Sequence, residues 1–206
     1  MKVRSAIQNL EKLYSDNLKE HGISSESVGW PNKKDHALRF DKLFESVDLK
    51  DIDSLNDLGS GYGAVLDYLS ARNKALDAYY AYDISKEMLK ALNIKFYPTT
   101  TIKKFLESAL KTTADFSIAS GIFNVHFSET ELEWKKYILE TLHNLNHYSS
   151  IGFAFNLLST YVDFKRDHLY YGDPCFFFDY CKKNFSKQVS LYHDYPLWEW
   201  TIKVKK

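Results

Sequence analysis

The stretch Asp57-Leu58-Gly59-Ser60-Gly61-Tyr62-Gly63 constrains this chain more than any other. It follows a strand-like run, Asp53-Ser54-Leu55-Asn56, and precedes a helical pattern, Ala64-Val65-Leu66-Asp67-Tyr68-Leu69. Glycines at alternate positions let a turn approach a ligand without side-chain interference, and some can take positive φ at little cost. A glycine turn between a strand and a helix is a nucleotide cradle. Asp83 comes twenty residues after Gly63, at the end of a second strand-like run, Ala78-Tyr79-Tyr80-Ala81-Tyr82. A carboxylate there can accept two hydrogen bonds from a ribose diol.

Two nucleotide-binding designs use such a turn. Gly59-x-Gly61-x-x-Ala64 satisfies the dinucleotide fingerprint in its Gly/Ala form, with an acid about 20 residues on. The longer stretch resembles the first motif of the class I S-adenosylmethionine (SAM)-dependent methyltransferases, acid-x-Gly-x-Gly-x-Gly. Asp57, Gly59, Gly61 and Gly63 match every position of it. The acid before the first glycine, the third alternate glycine and the C-terminal pattern favour this resemblance over a nicotinamide or flavin fold. A smaller group of bacterial-type methyltransferases of undefined substrate is similar over roughly residues 28 to 206. Val28-Gly29-Trp30, Arg39-Phe40, Ser120-Gly121-Ile122-Phe123-Asn124 and His193-Asp194-Tyr195-Pro196-Leu197-Trp198-Glu199 carry that likeness.

The rest of the chain alternates strand and helix signals. Apolar residues at steps of three and four (Val3, Ile7, Leu10, Leu13, Tyr14) predict a helix over residues 3 to 20, ended by His21-Gly22. Residues 22 to 34 read as loop and 35 to 46 as a second helix. Strands are expected at 53 to 58, 78 to 83, 99 to 103, 115 to 120 and 151 to 157, and helices at 63 to 72, 85 to 93, 104 to 110 and 129 to 147. This alternation predicts an α/β fold, a three-layer doubly wound and mostly parallel sheet. Strand signals at 187 to 193 and 197 to 204, joined by Asp194-Tyr195-Pro196, require an antiparallel hairpin. Seven strands with the last one reversed is the Rossmann-like order that the resemblance implies. The expectation is one SAM-binding methyltransferase domain over residues 1–206, with residues 1–50 as an N-terminal helical lid.

Composition narrows the partners. Lys+Arg and Asp+Glu are equal at 27 each, so no bulk charge draws the chain to nucleic acid or to a membrane surface. Lys203, Lys205 and Lys206 read as a solvated tail. No apolar run reaches 18 residues, and the N-terminus lacks a signal-peptide core. Cys175 and Cys181 read as free thiols, so a cytoplasmic protein is expected. His143 and His147 have metal-pair spacing, but they share a polar helix face with Lys136 and Glu140 and lack a third ligand, so no metal is expected.

The resemblance implies SAM as cofactor and a set of residues around it. Asp57, Gly59, Ser60, Gly61 and Gly63 would form its cradle. Asp83 would bind the ribose hydroxyls, and Ile84 and Met88 would flank the adenine. Ser120 and Gly121, at the end of the fourth strand, would border the transferred methyl group. Trp30 is a candidate lid and Arg39 a candidate partner of the cofactor carboxylate. Many members place an acid after the third strand to bond the adenine amino group. Thr99-Thr100-Thr101-Ile102-Lys103-Lys104-Phe105 contains none. A backbone carbonyl or a threonine reads that edge, or the strand lies elsewhere.

Acceptor chemistry is less written. Enzymes that methylate base amino groups often carry Asn or Asp followed by Pro-Pro and an aromatic residue after the fourth strand; here Asn124 is followed by Val125 and His126. Residues 161 to 180 contain eight aromatics interleaved with Asp163, Lys165, Arg166, Asp167 and His168. Such a segment suits a cap that holds a small molecule, with Asn124, Tyr161, Arg166, Tyr170 and Tyr171 as substrate candidates, or a packed helix over 174 to 183. An oxygen nucleophile needs a base, for which His126, His168 and Asp163 are candidates. Methyl transfer to oxygen or nitrogen of a small-molecule acceptor is the expected activity. A protein or RNA methyltransferase and a non-catalytic SAM- or NAD-binding domain are the alternatives.

Overall fold

A computed structural model of the chain describes residues 2–93, 97–127 and 129–206, residues 2 to 4 by backbone alone, so the expected packing of Val3 lies outside the described residues. The strands are β1 (Ser54–Leu58), β2 (Ala78–Asp83), β3 (Thr101–Leu106), β4 (Ala114–Ala119), β5 (Ser149–Leu158), β6 (Gln188–Tyr192) and β7 (Glu199–Lys205). The α-helices are α1 (Lys2–His21), α2 (Lys33–Leu43), α3 (Ala64–Ser70), α4 (Lys86–Ala91), α5 (Glu131–His147) and α6 (Pro174–Asn184). One seven-stranded sheet runs β3-β2-β1-β4-β5-β7-β6. β1 to β5 pair in parallel, and β7 runs antiparallel to both β5 and β6. β7 is therefore the single reversed strand, inserted between its neighbours as the hairpin signal required.

Side-chain alternation along the strands divides the apolar residues between two faces. Phe153, Phe155 and Leu157 of β5 pack with Trp134, Ile138, Leu142 and Leu145 of α5, Phe177 of α6, and Ala6 and Leu10 of α1. Ala154 faces the other way, towards the side where Phe40 and Leu43 of α2 meet Val65, Leu66 and Leu69 of α3. Burial of both faces explains why the central strands read as near-continuous apolar runs. No helix among the described residues is long and apolar enough to cross a membrane.

Two sequence expectations are corrected. Residues 104 to 106 are strand, not the start of a helix: β3 pairs with β2 from Ala78↔Thr101 to Asp83↔Leu106. Lys103-Lys104-Phe105-Leu106 has helical composition, but pairing along β2 overrides that weak preference. β3 is an edge strand, where lysines are a common protection against stray pairing. Lys203 is not part of a solvated tail. It lies buried in β7, and its Nζ donates to the Glu45 carbonyl at 2.8 Å.

Candidate cofactor cleft

The sheet order leaves β1 flanked by β2 on one side and β4 on the other. Connections depart in opposite directions from such a point, and a crevice opens beyond the carboxyl ends of the strands. The glycine turn occupies it. Gly59 N and Ser60 N donate to the Tyr82 carbonyl at 2.8 and 3.0 Å, tying the turn to the end of β2. Gly61 N donates to Asp83 Oδ2 at 2.8 Å, so the two sequence motifs are physically joined. Asp83 Oδ1 accepts from Ser85 N at 2.8 Å, and Ser85 Oγ caps α4 by accepting from Met88 N at 3.1 Å. Gly61 has φ 54°, a conformation that strains any residue with a Cβ, and an added Cβ would sit 3.2 Å from Val28.

Two buried carboxylates lie on the floor. Asp57 accepts a hydrogen bond from the Tyr79 hydroxyl at 2.5 Å. Burial pushes its pKa up from 3.8 to about 7; the Tyr79 bond opposes that shift, and the Asp83 charge adds to it. Burial also raises the Asp83 pKa, against hydrogen bonds from the backbone of Ser85, Gly61 and Ile84. A cationic or hydroxyl-bearing ligand placed here would relieve the cost of burying these acids.

The N-terminal helices wall the opening. Tyr14 from α1, His36 and Arg39 from α2, and Trp30 from the preceding loop all line the cleft. Ser15 Oγ lies 2.9 Å from Ser85 Oγ, which docks α1 on the cap of α4. The Arg39 guanidinium lies over the Trp30 ring, 4.0 Å from its centroid. Its Nε and Nη2 donate to the Glu199 carboxylate, with Nη2 to Oε2 at 2.6 Å. Burial, with the Arg39 charge adding to it, lowers the His36 pKa to about 4, so this ring is neutral at neutral pH.

Of the residues named from sequence, Trp30, Arg39, Asp57, Gly59, Ser60, Gly61, Asp83, Ile84, Met88, Ser120 and Gly121 line this one cleft. Gly63 instead opens α3, with Leu92 where its Cβ would be. Among the described residues the hydroxyls of Ser60 and Ser120 are buried without a partner, an open hydrogen-bonding capacity in the wall. Sequence reasoning missed Glu107 and Ser108, which follow β3 directly and line the cleft. The strand had been expected too early, so the acid at its true end went unread. Tyr14, His36 and Tyr137 were also missed as lining residues.

The acceptor candidates lie apart from this lining. Asn124 Oδ1 accepts from Leu158 N at 3.1 Å, fixing the loop after β4 to the end of β5. His126 is buried, its Nδ1 2.9 Å from the Glu129 carbonyl. Tyr170 packs in the core beside His126. Tyr161 is exposed with its ring near His193, and His168 is exposed. Asp163, Arg166 and Tyr171 line a second hollow with Phe164, Leu158 and Trp198. It lies at the end of β5, on the same edge of the sheet as the cleft. Among the described residues no group of His, Cys, Asp and Glu could hold a metal ion, and His143 Nε2 lies 2.9 Å from the Tyr180 hydroxyl. Cys175 and Cys181 are both free.

The sheet order, the reversed β7 and the glycine turn after β1 define a class I methyltransferase fold. No protein-family model matches the sequence. The Mycobacterium tuberculosis protein named "Putative methyltransferase Rv1506c" is 46% identical over 162 residues, 78% of this chain and 97% of that protein. The chain belongs to the same methyltransferase family as that protein. Solved structures share the fold at low identity. A DhpI–SAH complex aligns over 97% of both chains with a TM-score of 0.65 and 13% identity. The magnesium protoporphyrin IX methyltransferase ChlM of Synechocystis PCC 6803 with bound SAM aligns over 100% of this chain and 82% of its own, with a TM-score of 0.53 and 11% identity. Human N-acetylserotonin methyltransferase with SAM aligns over 94% of this chain and 65% of its own, with a TM-score of 0.56 and 13% identity.

Proposed function

We propose that this methyltransferase binds SAM in the cleft and passes its methyl group to a small-molecule acceptor, at oxygen or nitrogen. The observation that carries the reading is convergence. The glycine turn, Asp83, Ser120 and Gly121 meet Glu107 in one crevice, and two wall hydroxyls lack partners among the described residues. In this reading Asp83 accepts from the ribose hydroxyls, Ile84 and Met88 flank the adenine, and Glu107 or Ser108 reads its polar edge. Gly59, Ser60 and Gly61 bring backbone close to the ligand, and Asp57 carries the charge that faces its ammonium group. The bound sulfonium supplies a methyl group with a good leaving group already in place. The chain's own task is orientation and exclusion of water. Residues 1–50 serve as a partial lid, through Tyr14, Trp30, His36 and Arg39.

Acceptor recognition falls to the segment after β5, where Tyr161, Arg166 and Tyr171 are exposed or line the second hollow. That hollow is lined largely by apolar and aromatic side chains with a few polar groups, a lining that suits a small molecule. No general base is assigned, because His126, His168 and Asp163 are all absent from the cleft lining. The free thiols and the equal numbers of acidic and basic residues support a cytoplasmic enzyme without affinity for nucleic acid. Calorimetry with SAM, with S-adenosylhomocysteine (SAH) and with NAD tests the reading. Binding of the first two in the micromolar range and none of NAD is expected; tight NAD binding without SAM heat would sink it.

A further inference from the structure

Arg39 and Glu199 are separated by 160 positions, yet they form a buried pair with side-chain exposures of 4% and 1%. Burying two charges this deeply is costly and seldom improves stability over an apolar pair, so the arrangement calls for another reason. The donors of Arg39 divide by direction. Nε and Nη2 are both spent on the Glu199 carboxylate, side-on. One face of the guanidinium lies under Trp30. Nη1 makes no hydrogen bond among the described residues, and it occupies the space that a Cβ on Gly121 would fill. Arg39, Trp30 and Gly121 line the cleft, whereas Glu199 does not.

We infer that Glu199 is a positioning residue, which locks the Arg39 fork so that Nη1 faces the cleft at Gly121 and reads the carboxylate at the amino-acid end of the donor. The inference rests on the SAM reading of the cleft. A guanidinium free on all edges would swing among acceptors; one held along its Nε edge and stacked on an indole keeps a single donor direction. Gly121 is part of the device. Its φ of 74° suits glycine, and a side chain there would displace the guanidinium.

The test compares two ligands that share the adenosine but differ at the other end. SAH carries the amino-acid carboxylate and methylthioadenosine lacks it. Glu199→Gln offers one acceptor where Arg39 needs two, so SAH affinity should fall by ~10-fold or more, with methylthioadenosine affinity within ~2-fold of the parent. Should Glu199→Gln fail to fold, Glu199→Asp keeps Arg39 and the buried charge but draws the carboxylate back by one methylene from the Nε–Nη2 edge. The same split between the ligands is expected of it. Equal losses for both ligands would make the pair merely structural, and unchanged SAH affinity in either variant would leave Glu199 without the role. If the parent protein binds neither ligand, the cofactor reading itself fails, an outcome distinct from a split that does not appear.

Discussion

The two halves of the sheet's carboxyl edge are built differently. Around β1 and β2 the two buried carboxylates are held in place: Asp57 accepts from Tyr79, and Asp83 accepts from Gly61 and Ser85. Beyond β5 the second hollow is lined by partly buried and exposed side chains, with Phe164 at 65% and Trp198 at 55% exposure. A preorganised region can hold one ligand in one pose. An open, aromatic region can accommodate variation, because rings supply contact area without fixed partners. The contrast fits the proposed division between a donor cleft and an acceptor segment.

The comparison can be broken in graded steps. The largest effect belongs to Asp57. Its pKa is raised from 3.8 to about 7, so the protonated form is favoured by folding. The associated stability is complete below the unfolded value and is lost as pH rises through about 7. Asp57→Asn lacks this slope and should gain on the parent by about 2–4 kcal/mol between pH 4 and pH 8. Parallel denaturation curves for the two proteins at both ends of the range would contradict the burial argument.

Next comes Asp83→Asn, which replaces a charged acceptor by an amide and should weaken SAM binding by about 1–3 kcal/mol. The ligand-free protein should also melt earlier, since the new NH2 group must face the N–H of either Gly61 or Ser85. Equal SAM affinity in calorimetry would refute the ribose role. Gly61→Ala follows: strain at φ 54° and a methyl group near Val28 should lower SAM affinity at least ~10-fold, about 1.4 kcal/mol. Normal binding would show that this glycine serves only the turn. The smallest effect sharpens the other half. Tyr161→Ala, Arg166→Ala and Tyr171→Phe should leave the SAM dissociation constant within ~2-fold, under 0.5 kcal/mol. Loss of SAM binding by these substitutions outside the cleft would erase the distinction between the halves.

The same contrast explains what the sequence disclosed. The glycine turn, Asp83 and the Ser85 cap are local in the chain, so their spacing carried their geometry. The hairpin was legible because a short link admits only antiparallel pairing. β3 was misread because an edge strand buries little, and Lys104 turns its Nζ to the Leu89 and Leu92 carbonyls rather than following an apolar alternation; Glu107 was lost with it. Glu199 closes the His193-to-Glu199 motif, but nothing local in the chain links it to Arg39. The aromatic segment was visible as composition, yet composition alone does not divide Tyr170, which packs in the core, from Tyr161, which does not.

The reversed strand has a consequence in time. β7 lies between β5 and β6, and every residue from Glu199 to Val204 is buried. During synthesis β6 leaves the ribosome before the strand that attaches it to the sheet. Until then β5 presents a bare edge, and Arg39, made 160 residues earlier, lacks its counter-ion. Contacts of such long sequence separation are slow to form. The opening's N-terminal wall is thus locked only after Glu199 has been made, so a product interrupted before that point would carry the whole glycine motif without the Arg39–Glu199 pair.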